Sequence, residues 1–156
     1  LRQHVGHELL LIPGVAAIVR DPDGKVLLQR RSDNGEWGLL GGALDPGEEP
    51  AQALVREVFE ESGLIVKPQR LSALLTLETT YPNGDRLQPT VAVFECTVQG
   101  GRLASRDGES LELRYFQPDA LPDSPMLRPY PTSLFMLPAP EAYFSWSDAW
   151  LDALQP

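Results

Sequence analysis

Hydrophobic residues in this chain fall into short blocks separated by polar turns, and their spacing predicts strands before anything else. Residues 14 to 19, GVAAIV, and 26 to 29, VLLQ, are apolar runs joined by DPDGK, whose Asp23-Gly24 pair signals a turn, so the two are expected to form a hairpin. A polar loop, RRSDNGE, then leads to WGLLGG, a brief strand ending in glycines. Residues 71 to 81, LSALLTLETTY, and 90 to 98, TVAVFECTV, flank PNGDR with its Asn83-Gly84 turn and predict a second, antiparallel hairpin. LELRYF at 111 to 116 alternates as one more strand. Eight of the fifteen prolines lie from 118 onward, which predicts loops with one or two short helices, the better helix candidate being 141 to 154.

Between the early strands and the second hairpin the period changes. AQALVREVFEESG reads as a helix, with Pro50 suited to its first turn, Gly63 to a left-handed C-terminal cap, and no breaker between them. On a wheel of 100° per residue with Glu57 at zero, Glu61 falls at about 40° and Glu60 at about 300°, one arc of roughly 100°. Ala51, Leu54, Val55, Val58 and Phe59 fall between about 60° and 200°, a stripe expected to dock on a sheet while the glutamates are displayed.

Length and composition bound the reading. At 156 residues, 42% hydrophobic and 22% charged, with no repeat, low-complexity block or long linker, residues 1–156 read as a single folded domain. A net charge of −9 argues against bulk nucleic acid or an anionic membrane as partner. Cys96 is the only cysteine, which excludes an intrachain disulfide and a cysteine zinc cluster and fits a reducing cytoplasm. The apolar stretch at 9 to 19 is too short to span a bilayer and is interrupted by Pro13 and Gly14, so it reads as buried strand.

A run of acidic residues on a helix is usually a solvated face. Here, like charges at i,i+3 and i,i+4 each cost about 0.2–0.5 kcal/mol, and the helix dipole disfavours anions in the C-terminal half. Arg56, at about 260°, can reach Glu60 but cannot neutralise three carboxylates. Hard cations such as Mg²⁺ or Mn²⁺ can, and they bind through a few carboxylates together with substrate phosphates.

Residues 42 to 64, GALDPGEEPAQALVREVFEESGL, carry Gly42, Glu48, Arg56, Glu57, Val58, Glu60, Glu61, Gly63 and Leu64 at the defined positions of the Nudix box, and on this motif the chain resembles the Nudix hydrolases, in a MutT-like branch. The resemblance implies an α/β/α sandwich with a mixed sheet between helices, and metal-dependent cleavage of a diphosphate linkage by water attack on phosphorus. It implies Mg²⁺ or Mn²⁺ at Glu57, Glu60 and Glu61 with the Gly42 carbonyl as a further ligand, Arg56 orienting a glutamate, and Glu48 supporting Arg56. For the general base the resemblance implies Glu60 or Glu109, the latter in RDGESLELRYF; Glu112, facing the same way as Arg114, reads as surface pairing. Relatives often have proline before the two glycines where this chain has Leu40, which bears on loop rigidity rather than on the catalytic positions.

Specificity lies outside the box. Arg30 and Arg31 are candidates for phosphate and Tyr81 for the substrate, while Trp37 reads as packing. The implied partner is a small nucleotide-like molecule: a nucleoside triphosphate, oxidised ones included, a nucleotide sugar or an ADP-ribose type. Three rivals are weighed: a catalytically silent nucleotide-binding module on the same fold, although the box keeps all its glutamates; an isomerase of isoprenoid diphosphates, which needs a catalytic cysteine where Cys96, mid-strand in VFECTV, reads as buried packing; and an acidic scaffold, which would make the whole motif a coincidence. The tail aromatics Tyr143, Phe144, Trp146 and Trp150 are expected to cover the sheet, with a homodimer surface as the alternative. His4 and His7 read as surface residues.

Overall fold

The computed structural model describes residues 6, 8–81, 83–105, 108 and 110–155. Its strands are β1 (Leu10–Arg20), β2 (Val26–Arg31), β3 (Trp37–Gly38), β4 (Leu40–Ala43), β5 (Leu64–Thr76), β6 (Thr79–Thr80), β7 (Arg86–Gly101), β8 (Ser110–Phe116) and β9 (Tyr143–Phe144). The helices are α1 (Pro50–Ser62), a 3-10 turn (Thr132–Phe135) and α2 (Ala149–Asp152).

All these strands join one mixed sheet with β1 near its middle, parallel to β7 from Leu10↔Leu87 to Arg20↔Thr97 and antiparallel to β4 from Gly14↔Ala43 to Ala17↔Leu40. The continuous apolar run GVAAIV follows from burial on both faces. Val15, Ala17 and Val19 meet Leu54 and Val58 of α1, while Ala16 and Ile18 meet Leu127, Tyr130, Leu134 and Phe135 on the other side. This is the α/β/α sandwich, with one outer layer reduced to the segment around the 3-10 turn. Prolines at 118, 122, 125, 129 and 131 explain that reduction, since each lacks the N–H a regular helix needs.

The hairpin at 71–76 and 90–94 pairs as predicted, Leu71↔Phe94 through Thr76↔Thr90, and β8 forms where the alternation placed it. The early hairpin is corrected. The turn forms, with Asp21 Oδ1 accepting from the Asp23 and Lys25 amides, but β1 and β2 pair only at Arg20↔Val26. Beyond it β1 pairs with β4, and β2 pairs with β8 and β3, because more distant partners bury these strands better than each other. The strand predicted from residue 71 already starts at Leu64; a register shift beside Pro68 breaks the alternation that would have revealed it. In place of a helix over 141–154 there is β9 alongside β5 and the single turn α2. Of the tail aromatics, Tyr143 packs on the core, whereas Phe144, Trp146 and Trp150 stay exposed.

A buried ion pair joins Arg20 to Glu95, and Arg20 also donates to the carbonyls of Gly24 at 2.9 Å and Phe135 at 2.8 Å, tying the first turn and the 3-10 layer to the sheet. Among the described residues no helix is long and apolar enough to cross a membrane.

Candidate functional site

Helix α1 begins and ends as its sequence predicts. Pro50 opens it, the Glu49 amide donates to the Gln52 side chain at 3.3 Å, and Gly63, at φ 78°, takes the left-handed cap with its N–H on Phe59 O at 2.8 Å. Its buried face differs from the predicted one. Ala53, Leu54, Val58, Glu61 and Ser62 are buried, while Phe59, on the far side of the expected stripe, is 37% exposed. The docking arc is thus rotated towards the glutamates, and Glu61 is itself 3% exposed at the helix–sheet contact. Alternation of apolar residues could not show this, because a carboxylate is buried only where specific donors meet it.

Those donors come from β4 and β2. The Gly41 amide donates to Glu61 Oε1 at 2.8 Å and Gln29 Nε2 to Glu61 Oε2 at 2.8 Å. Glu57 approaches the same wall at Gly42: a Cβ at residue 42 would lie 2.5 Å from the Glu57 carboxyl carbon, so glycine provides the space its carboxylate occupies. Both glutamates line a cavity of about 420 Å³ with Gly41, Gly42, Arg31, Tyr81, Met126 and Tyr130. The Tyr130 hydroxyl, pushed up to about 12 by burial, stays neutral there.

Arg56 sits between four carboxylates and the Gly42 loop. It grips Glu48 with two hydrogen bonds of 2.8 Å, and it reaches Glu57 at 2.9 Å, Glu60 at 3.3 Å, Asp45 at 3.4 Å and the Ala43 carbonyl at 3.2 Å. The fork geometry requires arginine; lysine offers no second parallel donor. Arg56, then the Asp45 amide, holds the Glu48 carboxyl down to about 2 from an ordinary 4.5. Because the folded value is depressed, this stabilisation is present above 4.5 and is lost as pH falls towards 2. The melting temperature of Glu48→Gln is therefore expected below that of the unaltered protein at neutral pH, with the gap closing across that acid range. A gap independent of pH would show that the ion pair contributes nothing.

The remaining candidates separate. Glu60 is half exposed, turned to Arg56, and is not among the cavity-lining residues. Arg31 lines the cavity with its guanidinium gripped by Asp33 at 2.8 and 3.0 Å, which raises its pKa above the usual arginine value. Arg30 is not among the cavity-lining residues and lies 3.9 Å from Glu112, which in turn accepts from Arg114 at 2.6 Å as the alternation predicts. Trp37 packs edge-on against Phe116 at 5.0 Å, a packing role. Cys96 is buried in the α1-side core with its thiol pushed up to about 12, mainly by burial, and it is not a cavity-lining residue. Glu109, His4 and His7 lie outside the described residues. Sequence reasoning missed Gln29 and Ser110; the available signal was a glutamine closing the apolar run VLLQ.

Among the described residues no three acidic, histidine or cysteine side chains stand preassembled around one point. The donor set nevertheless fits a hard divalent cation: two carboxylates and the carbonyl-bearing loop at Gly42 share one wall, all oxygen donors, and glycine keeps the Glu57 oxygens against that loop.

Residues 10–135 match the NUDIX domain family model. The chain is 36% identical over 105 residues to a MutT-like protein of Streptomyces ambofaciens, covering 67% of this chain and 63% of that one, so the match spans less than two thirds of that relative. It is 34% identical over 120 residues to an ADP-ribose pyrophosphatase of Methanocaldococcus jannaschii, covering 74% and 69%. Among solved structures it is similar to a UDP-X diphosphatase, with TM-score 0.62, 25% identity, and coverage of 81% of this chain and 61% of that one. A second similar structure is an ADP-ribose pyrophosphatase from Streptococcus suis, with TM-score 0.59, 28% identity, and coverage of 74% and 80%. With the box geometry and the matched family model in agreement over most of its length, this chain belongs to the Nudix family.

Proposed function

We propose that this protein hydrolyses a diphosphate linkage in a nucleoside diphosphate derivative, with Mg²⁺ or Mn²⁺ as cofactor. The observation that carries the reading is the placement of Glu57 and Glu61 on one wall of a cavity about 420 Å³ in volume, against a loop whose glycine makes room for a carboxylate. The volume suits a nucleotide-sized ligand. The names of the relatives support the reaction type, and their spread over ADP-ribose, UDP derivatives and MutT-like proteins leaves the substrate to experiment.

In this reading Glu57, Glu60, Glu61 and the Gly42 carbonyl would hold the cation. When bound, a divalent cation supplies positive charge for the phosphate oxygens and lowers the pKa of attacking water. The chain's own residues set the geometry: Arg56 orients Glu57 and Glu60, Glu48 holds Arg56, and Gln29 with the Gly41 amide holds Glu61. Arg31 and Tyr81 line the cavity and would meet the substrate there, with Met126 and Tyr130 also in the lining. Arg30, the other candidate for phosphate, is partly exposed and paired at 3.9 Å with Glu112. The base is Glu109 or Glu60; Glu60 is half exposed and hydrogen-bonded to Arg56. Residues 1–156 act as one domain in the cytoplasm on a small-molecule substrate, without bulk nucleic acid or membrane.

The test is hydrolysis of nucleoside triphosphates, nucleotide sugars, ADP-ribose and dinucleoside polyphosphates with Mg²⁺ or Mn²⁺, with products identified by mass and Glu57→Gln as control. Turnover of one class, lost in the control, is expected. Survival of every compound while Mn²⁺ still binds would favour a catalytically silent nucleotide-binding module on the same fold.

A further inference from the structure

Behind Glu61 lies a buried polar chain that the Nudix box does not contain. Gln29 is 1% exposed in β2, a position where an apolar side chain would otherwise pack. The Ser110 hydroxyl, at the start of β8, donates to Gln29 Oε1 at 2.6 Å. Gln29 Nε2 donates to Glu61 Oε2 at 2.8 Å and lies 3.5 Å from the Leu39 carbonyl. The direction of the amide follows from its neighbours: an ionised carboxylate only accepts, so the NH₂ must face Glu61, and the Ser110 O–H is then matched to the amide oxygen. A buried primary amide is costly unless it is hydrogen-bonded, and here the bonds converge on the wall that carries Glu61.

With one oxygen held by the backbone of β4 and the other by a side chain of β2, the Glu61 carboxylate cannot turn about its terminal bond without breaking both. Each carboxylate oxygen accepts at more than one site, so these donors orient the group without exhausting it. We propose that Gln29, itself oriented by Ser110, is a positioning residue that fixes the Glu61 carboxylate towards the cavity and thereby sets its affinity for a divalent cation. This rests on the metal-binding reading of Glu61 given above.

The experiment is Mn²⁺ affinity, measured by electron paramagnetic resonance well below the melting temperature, for the unaltered protein, Glu57→Gln, Gln29→Met, Ser110→Ala and Ser110→Thr. Loss of an outer partner typically weakens metal binding about 10–100-fold, and that range is expected for Gln29→Met. Ser110→Ala should weaken binding in the same direction, and Ser110→Thr, which keeps the hydroxyl, should recover it. A purely structural role would lower melting temperature and leave Mn²⁺ affinity unchanged. Affinity equal to the unaltered protein in Gln29→Met and Ser110→Ala, alongside a loss in Glu57→Gln, overturns this proposal alone. Absence of an Mn²⁺ site in the unaltered protein overturns it together with the metal-dependent reading. Should Gln29→Met fail to fold, the two Ser110 variants decide.

Discussion

Gly41→Ala is expected to lose at least about 3 kcal/mol of folding stability, whereas its neighbour Gly42→Ala is expected to keep its stability and to lose metal affinity. A Cβ at residue 41 would lie 2.1 Å from the Val15 carbonyl oxygen and 2.9 Å from the Ala16 Cα, both backbone atoms of the central strand. Neither can yield without separating β4 from β1, which are paired at Ala16↔Gly41. Overpacking of a tight core typically costs 1–3 kcal/mol, and a clash with backbone belongs at or beyond about 3 kcal/mol. A domain of this kind holds only about 5–15 kcal/mol in all. At residue 42 the three nearest atoms all belong to the Glu57 carboxylate, the mobile end of a side chain, which can swing away at small cost in stability. The displaced carboxylate leaves the cavity wall, and a fall in Mn²⁺ affinity of about 10–100-fold is expected, the scale on which disturbed ligand orientation acts. Denaturant unfolding and Mn²⁺ titration of both variants check the pair. An alanine at 41 that melts like the unaltered protein would show that β4 does not pair in this register.

The second expectation separates two glutamates that share a wheel face. Glu57→Gln and Glu61→Gln should each lower kcat by about 10²–10³-fold, as removal of one charge-stabilising group does. Their stabilities should diverge. Glu57 loses an Arg56 contact of about 0.2–1 kcal/mol but also a like-charge neighbour at i,i+4 of about 0.2–0.5 kcal/mol, effects opposite in sign, so its unfolding midpoint should move little. Glu61 is buried with both oxygens accepting N–H groups, and an amide there turns its own NH₂ against either Gly41 or Gln29. The unsatisfied donor costs about 1–3 kcal/mol, and relief from burying a charge offsets only part of it. Equal stability of the two variants in urea, with both inactive, would mean that the Glu61 bonds contribute little to the fold.

The contrast shows how the site was and was not legible. The box residues, the limits of α1 at Pro50 and Gly63, the hairpin of β5 with β7 and the surface pairing of Glu112 with Arg114 could be read from the chain, because turn dipeptides, caps and alternation act between residues close in sequence. The start of β5 was hidden by Pro68, and the partners of β1 and β2 by the pull of distant apolar surface. A helix over 141–154 was overridden by an edge pairing with β5.

The sequence by itself determined that three glutamates and an arginine share one turn-and-a-half of helix, since a 3.6-residue period and two caps suffice for that; that they lie beside the double glycine was implied only by the resemblance. Only the tertiary structure decided which of them meet the cavity. The docking face of α1 is rotated so that Glu61 enters the sheet contact, Glu57 rests on Gly42, and Glu60 stays at the rim with Arg56. That rotation is set by donors remote in the chain, Gln29 at 32 residues and the Gly41 amide at 20, because burying a carboxylate requires partners that no local periodicity can supply.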